Sequence, residues 1–176
     1  MDFFQSRALC RWQMFPEKLL GAARDILDEA RKRGLLLATA ESCTAGLISA
    51  CIAQIPGSSS VLERGFVTYS NEAKTELLGV PADLIAAKGA VSAEVARAMV
   101  EGALAKSRAS IAVSCTGIAG PDGGSATKPV GLVHMAAIKR DGQLIQVEQR
   151  FGNIGRTQVQ LATVAEAFVL LRDVMD

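Results

Sequence analysis

Histidine is the scarcest chemistry-bearing residue in this sequence: 176 residues hold one, His134, beside one tryptophan and one tyrosine, Tyr69. A single imidazole excludes a multi-histidine metal centre and leaves one chance at a histidine base. The four cysteines, Cys10, Cys43, Cys51 and Cys115, contain no C-x-x-C pair, so neither a zinc site nor a redox motif is indicated. No metal and no organic cofactor is expected, and free thiols fit a reduced, cytoplasmic setting. Charge of one sign is also lacking: nineteen Lys and Arg face eighteen Asp and Glu, and no basic run exceeds Arg31-Lys32-Arg33. That balance provides no electrostatic footprint for nucleic acid or an anionic membrane, so a small-molecule partner is expected. The longest uncharged stretch, Ser42 to Leu62, holds Gln54, Pro56, Gly57 and three consecutive serines, which a lipid-facing helix does not tolerate.

What is present suffices for one domain. With 49% hydrophobic residues, a chain of this length buries roughly 70% of the surface its unfolded form exposes, and needs no disulfide or metal staple. Four of the eight aromatics fall in the first fifteen residues (Phe3, Phe4, Trp12 and Phe15). On that composition residues 1–15 read as an N-terminal extension, with Met1 to Gln13 as the appendage itself and 16–176 as the domain.

From Pro16 the spacing of Leu19, Leu20, Ala23, Ile26, Leu27 and Ala30 predicts an amphipathic helix closed by Gly34. Leu35 to Thr39 reads as a buried strand ending near Glu41-Ser42, followed by a helix from about Thr44 to Ala53. Ser60 to Tyr69 is a second strand, Asn71 to Leu78 a short helix, Ser92 to Ser107 a helix capped by Ser92, and Ile111 to Val113 the centre of a third strand. Val130 to Lys139 and Gln143 to Phe151 flank Asp141-Gly142, a hairpin signal, and a last helix runs from Arg156. The fold class is therefore α/β: a three-layer sandwich with a mixed sheet, one antiparallel hairpin and helices on both faces.

Three stretches can carry chemistry. In Glu41-Ser42-Cys43-Thr44 a strand gives way to a helix, where a serine meets free backbone amides able to hold an oxyanion or a phosphate. Ser42 or Thr44 serves equally well there as a plain N-cap, and Cys43 is either a rival nucleophile or a small buried hydrophobe. At the second strand-to-helix corner, Tyr69 precedes Lys74 by five residues. A lysine whose pKa is lowered by burial can act as a base and a tyrosine can orient the proton, whereas an isolated lysine on a short helix is ordinarily just solvated. The third stretch, Thr116 to Pro129, is the most glycine-dense of the chain. Its amides can cradle a phosphate, with Thr116 and Ser125 adding hydroxyls, yet it matches neither Gly-x-x-x-x-Gly-Lys-Ser/Thr nor Gly-x-Gly-x-x-Gly. Arg156 either clamps a phosphate or is an exposed helix arginine.

Five stretches in order, Thr39-Ala40-Glu41-Ser42-Cys43-Thr44, Pro56-Gly57-Ser58-Ser59, Tyr69-Ser70-Asn71 with Lys74, Gly89-Ala90-Val91-Ser92, and Thr116-Gly117-Ile118-Ala119-Gly120-Pro121 with Lys128-Pro129-Val130-Gly131, resemble the CinA C-terminal domain family of nicotinamide-nucleotide amidases. The resemblance runs from about Pro16 to Val174 and implies hydrolysis of the carboxamide of nicotinamide mononucleotide to nicotinate mononucleotide and ammonia, in pyridine nucleotide recycling. It implies Ser42 as nucleophile and Lys74 as base, with family matches at Tyr69, Thr116 and Arg156; Tyr69 is expected as a third catalytic residue, and Thr116 and Arg156, joined by the amides near Thr44 and the loop residue Gly117, as substrate-binding residues. The partner is then a small nucleotide, and a homo-oligomer is compatible with the family. Two positions depart from it: Ala45 stands where a glycine is frequent and His134 where an aromatic such as tryptophan is common. The resemblance does not reach the larger N-terminal domain of full-length CinA proteins. The competing reading is a non-catalytic nucleotide-binding or competence- or damage-associated partner module.

Overall fold

The apolar stripe from Leu19 to Ala30 forms helix α1 (Glu17–Lys32), with Pro16 at its N-cap and Gly34 beyond its end at φ 65°, the left-handed conformation that closes many helices. The computed structural model describes residues 14–176. Along them follow β1 (Leu37–Glu41), α2 (Leu47–Ala53), β2 (Leu62–Val67), α3 (Asn71–Leu78), α4 (Ala82–Lys88), α5 (Ala93–Ala105), β3 (Ile111–Gly117), β4 (Leu132–Lys139), β5 (Leu144–Arg150) and α6 (Arg156–Met175). Residues 1–13 of the expected extension lie outside the described residues. Its expected end needs correction at Phe15: that ring is 1% exposed and packs in the core with Leu19 and Phe168, so the packed domain includes it.

The five strands form one sheet in the order β2-β1-β3-β4-β5, parallel across β2, β1 and β3 and antiparallel across β3, β4 and β5. The Asp141-Gly142 signal is thus realised as the β4–β5 hairpin, with Asp141 at φ 58°. Alternation along the strands sorts the core into two layers. Leu37, Ile111, Val113 and Met135 face α1, α2 and α6. Ala38, Ala40, Ala112 and Ala136 face α5, and such small side chains let that helix lie close to the sheet. The result is the three-layer mixed α/β sandwich expected from the sequence.

Two elements differ from expectation. Helix α4 goes unannounced by the sequence pattern because its seven residues bury one large apolar side chain, Ile85. Helix α2 begins at Leu47, not near Thr44, because residues 43–46 form a turn with Ala45 at φ 51° and Gly46 at φ 96°.

Topology then fixes where a ligand can bind. The chain passes from β1 to β2 through α2 on one face of the sheet and returns to β3 through α3, α4 and α5 on the other. The first connection leaves the carboxyl end of β1 and the second the carboxyl end of β2, so the chain departs to opposite faces of the sheet at one edge, the place where open α/β sheets offer a crevice. The carboxyl ends of β1, β2 and β3 carry Ser42, Thr68 to Ser70, and Thr116-Gly117.

Candidate active site

Ser70 accepts a hydrogen bond from the Ala73 amide at 3.0 Å and caps α3, which sets Lys74 one turn into that helix and turns it inward beneath β1. Lys74 is 1% exposed and Ser42 8%, and Nζ lies 3.0 Å from Ser42 Oγ. The remaining partners of Nζ are the carbonyls of Thr68 at 2.9 Å and of Tyr69 and Ser70 at 3.4 Å. No carboxylate is within ion-pairing distance of the amine among the described residues. Burial therefore holds Lys74 below the ordinary lysine range, against weaker opposing pulls from Cys43, Cys115 and Glu72. A neutral amine donates two hydrogens to the surrounding carbonyls and turns its lone pair to the Ser42 hydroxyl. This arrangement can draw a proton from Ser42.

The backbone around Ser42 is held from the sheet side by Glu41, a residue to which sequence reasoning gave no role. This fully buried carboxylate accepts five hydrogen bonds, all between 2.7 and 3.1 Å: from the hydroxyls of Thr39 and Thr44 and from the amides of Gly46, Ile48 and Ser49. Two expectations are corrected as a result. The amides at the start of α2 are occupied by Glu41 and are not free to bind an oxyanion or a phosphate. Thr44, expected to bind substrate, is buried with its hydroxyl committed to Glu41 and near Cys115 Sγ, and it does not line the cleft. A strand-end carboxylate followed by small residues is the signal that could have revealed this internal cap.

In front of Ser42 lies a cleft of about 270 Å3 lined by Ser42, Cys43, Lys74, Thr116, Gly117 and Arg156, with Tyr69, Asn71, Asp122 and Ala119-Gly120 at its rim. Two larger grooves, about 380 and 570 Å3, flank α4, and the charged residues that line them (Glu72, Glu76, Glu94, Arg97 and Glu101) are all exposed. Thr116 donates its hydroxyl hydrogen to the Ala90 carbonyl at 2.8 Å, so what it offers the cleft is lone pairs and not a donor. Gly117 has a packing reason for being glycine: a Cβ there would stand 2.7 Å from Val133 Cγ2 and 2.8 Å from the Leu132 carbonyl. Ser125 lies in the glycine-dense loop but outside the cleft, accepting from the Lys128 amide at 3.0 Å. Lys128 Nζ in turn binds the Lys88 and Val91 carbonyls and pins that loop to the segment before α5.

Tyr69 requires a further correction. Its carbonyl approaches Lys74, but its side chain is 57% exposed and its hydroxyl accepts from Arg156 Nη2 at 2.8 Å. Arg156 Nη1 donates to the Gly120 carbonyl at 3.0 Å, so the guanidinium spans the cleft mouth from the glycine loop to the phenol. Cys43 weakens as a rival nucleophile: its hydrogen bond with Cys115 and its burial push the thiol well above the ordinary range. His134 pairs with Thr116 across β3 and β4 and does not line the cleft. Burial lowers its pKa, with Nε2 3.8 Å from Glu148 and Nδ1 without a hydrogen-bond partner among the described residues. No group of three or more His, Cys, Asp or Glu able to hold a metal exists among the described residues, and no helix among them is long and apolar enough to cross a membrane.

Fold and site together define a class: an α/β domain with a serine, at the carboxyl end of a central parallel strand, beside a buried lysine that has no ion-pair partner among the described residues. The family model of the CinA C-terminal domain matches residues 20–175, and the chain belongs to that family. It is similar to a CinA-like protein of Geotalea daltonii, 51% identical over 142 residues that cover 81% of this chain and 34% of that protein. The chain spans about a third of the length of the curated relatives it matches. Among solved structures it is similar to the competence/damage inducible protein CihA of Agrobacterium tumefaciens, at a TM-score of 0.91 and 49% identity, covering 92% of this chain and 98% of that one. A second is the competence damage-inducible protein A of Klebsiella pneumoniae, at 0.83 and 32%, covering 88% and 95%.

Proposed function

We propose that this domain is an amidohydrolase that converts the carboxamide of nicotinamide mononucleotide to nicotinate mononucleotide and ammonia through Ser42 and Lys74. The observation that carries the reading is the 3.0 Å contact between Ser42 and a lysine whose pKa burial lowers and that has no carboxylate within ion-pairing distance among the described residues. Lys74 takes the Ser42 proton as Oγ bonds to the amide carbon, and the ammonium then gives a proton to the departing nitrogen as the C–N bond breaks and ammonia leaves. Water attacks the resulting acyl-enzyme, yields its proton to Lys74, and the returning proton restores Ser42. The Cys43 and Thr44 amides donate to no backbone carbonyl among the described residues. The Cys43 amide, next to the nucleophile and belonging to a residue that lines the cleft, is assigned as the donor to the developing oxyanion. Thr116, whose own hydrogen is committed to Ala90, accepts an N–H of the substrate carboxamide. The nucleotide phosphate takes the Arg156 guanidinium, a bidentate donor at the mouth of the cleft.

Tyr69 acts in this scheme by orienting Arg156, not by relaying a proton. Purified protein given nicotinamide mononucleotide is expected to release ammonia without added metal, and Ser42→Ala is expected to lose at least about 10³-fold in turnover. Retained turnover in that variant overturns the assignment. Tight nucleotide binding without turnover in the unsubstituted protein supports the binding-module reading instead.

A further inference from the structure

We infer that Gln160 is a positioning residue for Ser42, acting from α6 through the carbonyl of the residue after the nucleophile; the inference rests on the reading of Ser42 as a nucleophile. Gln160 Nε2 donates to the Cys43 carbonyl at 2.9 Å. That carbonyl accepts from no backbone amide, so the Gln160 side chain is its one protein donor among the described residues. The side-chain hydrogen bond of Ser42 is to Lys74, whose own place is fixed by α3, so where Oγ sits depends on the backbone that follows.

That backbone is a turn with two consecutive positive φ angles, at Ala45 and Gly46. From the sheet side it is tied by the Ser42 amide on the Cys115 carbonyl and by the amides gathered on Glu41. From the other side it is tied by Gln160. A peptide unit is planar, so anchoring the Cys43 carbonyl fixes the whole Cys43–Thr44 plane and closes the torsional freedom next to Ser42. Packing does not require Gln160: the buried side chains of α6 are Val159, Thr163, Val164, Ala167 and others down the helix, while Gln160 is half-buried. It stands one helical turn after Arg156, so one face of α6 holds both the cleft mouth and the nucleophile turn.

The test uses the full chain and a fluorophosphonate probe, which reports nucleophile placement without the amide substrate. Ser42 Oγ bonds to phosphorus, the P–F bond breaks, fluoride leaves, and the hydroxyl proton passes to Lys74. Gln160→Met and Gln160→Glu, which remove the donor at similar length, are expected to slow Ser42 labelling by about 10- to 100-fold, the scale of a sub-ångström to ångström misplacement. Their melting temperature is expected to stay near that of the parent. Gln160→Lys, which restores an N–H donor, is expected to recover labelling, and the deficit of Gln160→Glu is expected to shrink as pH falls and its carboxyl regains an O–H. Turnover is expected to fall with KM little changed. Parent-like labelling in Gln160→Met and Gln160→Glu, or equal deficits in all three variants at every pH, overturns the inference. A parent protein that labels at Ser42 yet releases no ammonia overturns the proposed reaction and leaves the role of Gln160 standing.

Discussion

Two buried charged side chains meet at the end of β1, and the chain treats them in opposite ways. Glu41, behind Ser42, receives five donors and has its hydrogen-bonding capacity filled. Lys74, in front of it, has carbonyls and one hydroxyl around it and no carboxylate within ion-pairing distance among the described residues. The first is a structural clasp that shapes the turn. The second is held where burial favours loss of its proton, which costs stability and, in the proposed reaction, supplies the base. Burial of a charge alone therefore does not mark chemistry; burial without a partner, beside a hydroxyl in a cleft, does.

The sharpest way to break this contrast is to replace each member in turn. Lys74→Met is expected to abolish turnover by at least about 10³-fold while changing unfolding free energy by no more than about 1 kcal/mol, since a hydrophobe replaces a buried amine that had no ion-pair partner. Glu41→Gln is expected to do the reverse in kind: it turns an amide N–H toward donors and costs roughly 2–4 kcal/mol of stability by denaturant titration. If Lys74→Met unfolds the protein while Glu41→Gln leaves it unaffected, the roles are misassigned.

A smaller effect is expected at the cleft mouth. Arg156→Met should raise KM by about 10-fold or more with a lesser change in kcat, as loss of a charge-assisted contact to an anion does. Tyr69→Phe removes only the acceptor that steadies the guanidinium and should change kcat/KM by no more than about 3-fold. A large kcat loss in Tyr69→Phe would return the phenol to a proton-transfer role. A change of comparable size, in stability alone, is expected in the turn itself. Ala45 sits at φ 51°, where an L side chain is strained, so Ala45→Gly should raise stability by about 1 kcal/mol.

That last position shows what was legible in the sequence and what was not. Layers, sheet and hairpin followed from local signals: the stripe of α1, the Ser92 cap of α5 that accepts from the Val95 amide, and Asp141-Gly142. Ser42 and Lys74 were legible as residue types at two strand ends, and the fold brings them together. The site's second layer was not legible, because it depends on side chains reaching across the fold. Glu41 takes the amides of α2 from inside the sheet, and that displaces the helix start from Thr44 to Leu47. Arg156 draws the Tyr69 phenol away from Lys74 across 87 residues of chain, and Gln160 reaches the nucleophile turn across 117. No spacing rule within one element encodes such contacts.

The central claim is that a discharged Lys74 activates Ser42, and pH separates it from its alternatives. Because the folded amine lies below its unfolded value of 10.5, the unfolded chain binds the extra proton between the two. Stability should therefore rise with pH across that window, and catalysis should rise as the folded amine loses its proton. The most direct measurement is kcat/KM for ammonia release from nicotinamide mononucleotide between about pH 5 and about pH 11, set beside an NMR titration of the Lys74 side chain. One ascending limb is expected, its midpoint coinciding with the Lys74 titration and both below the ordinary lysine value. A rate independent of pH through the Lys74 titration, or a lysine that titrates at or above 10.5, would contradict it.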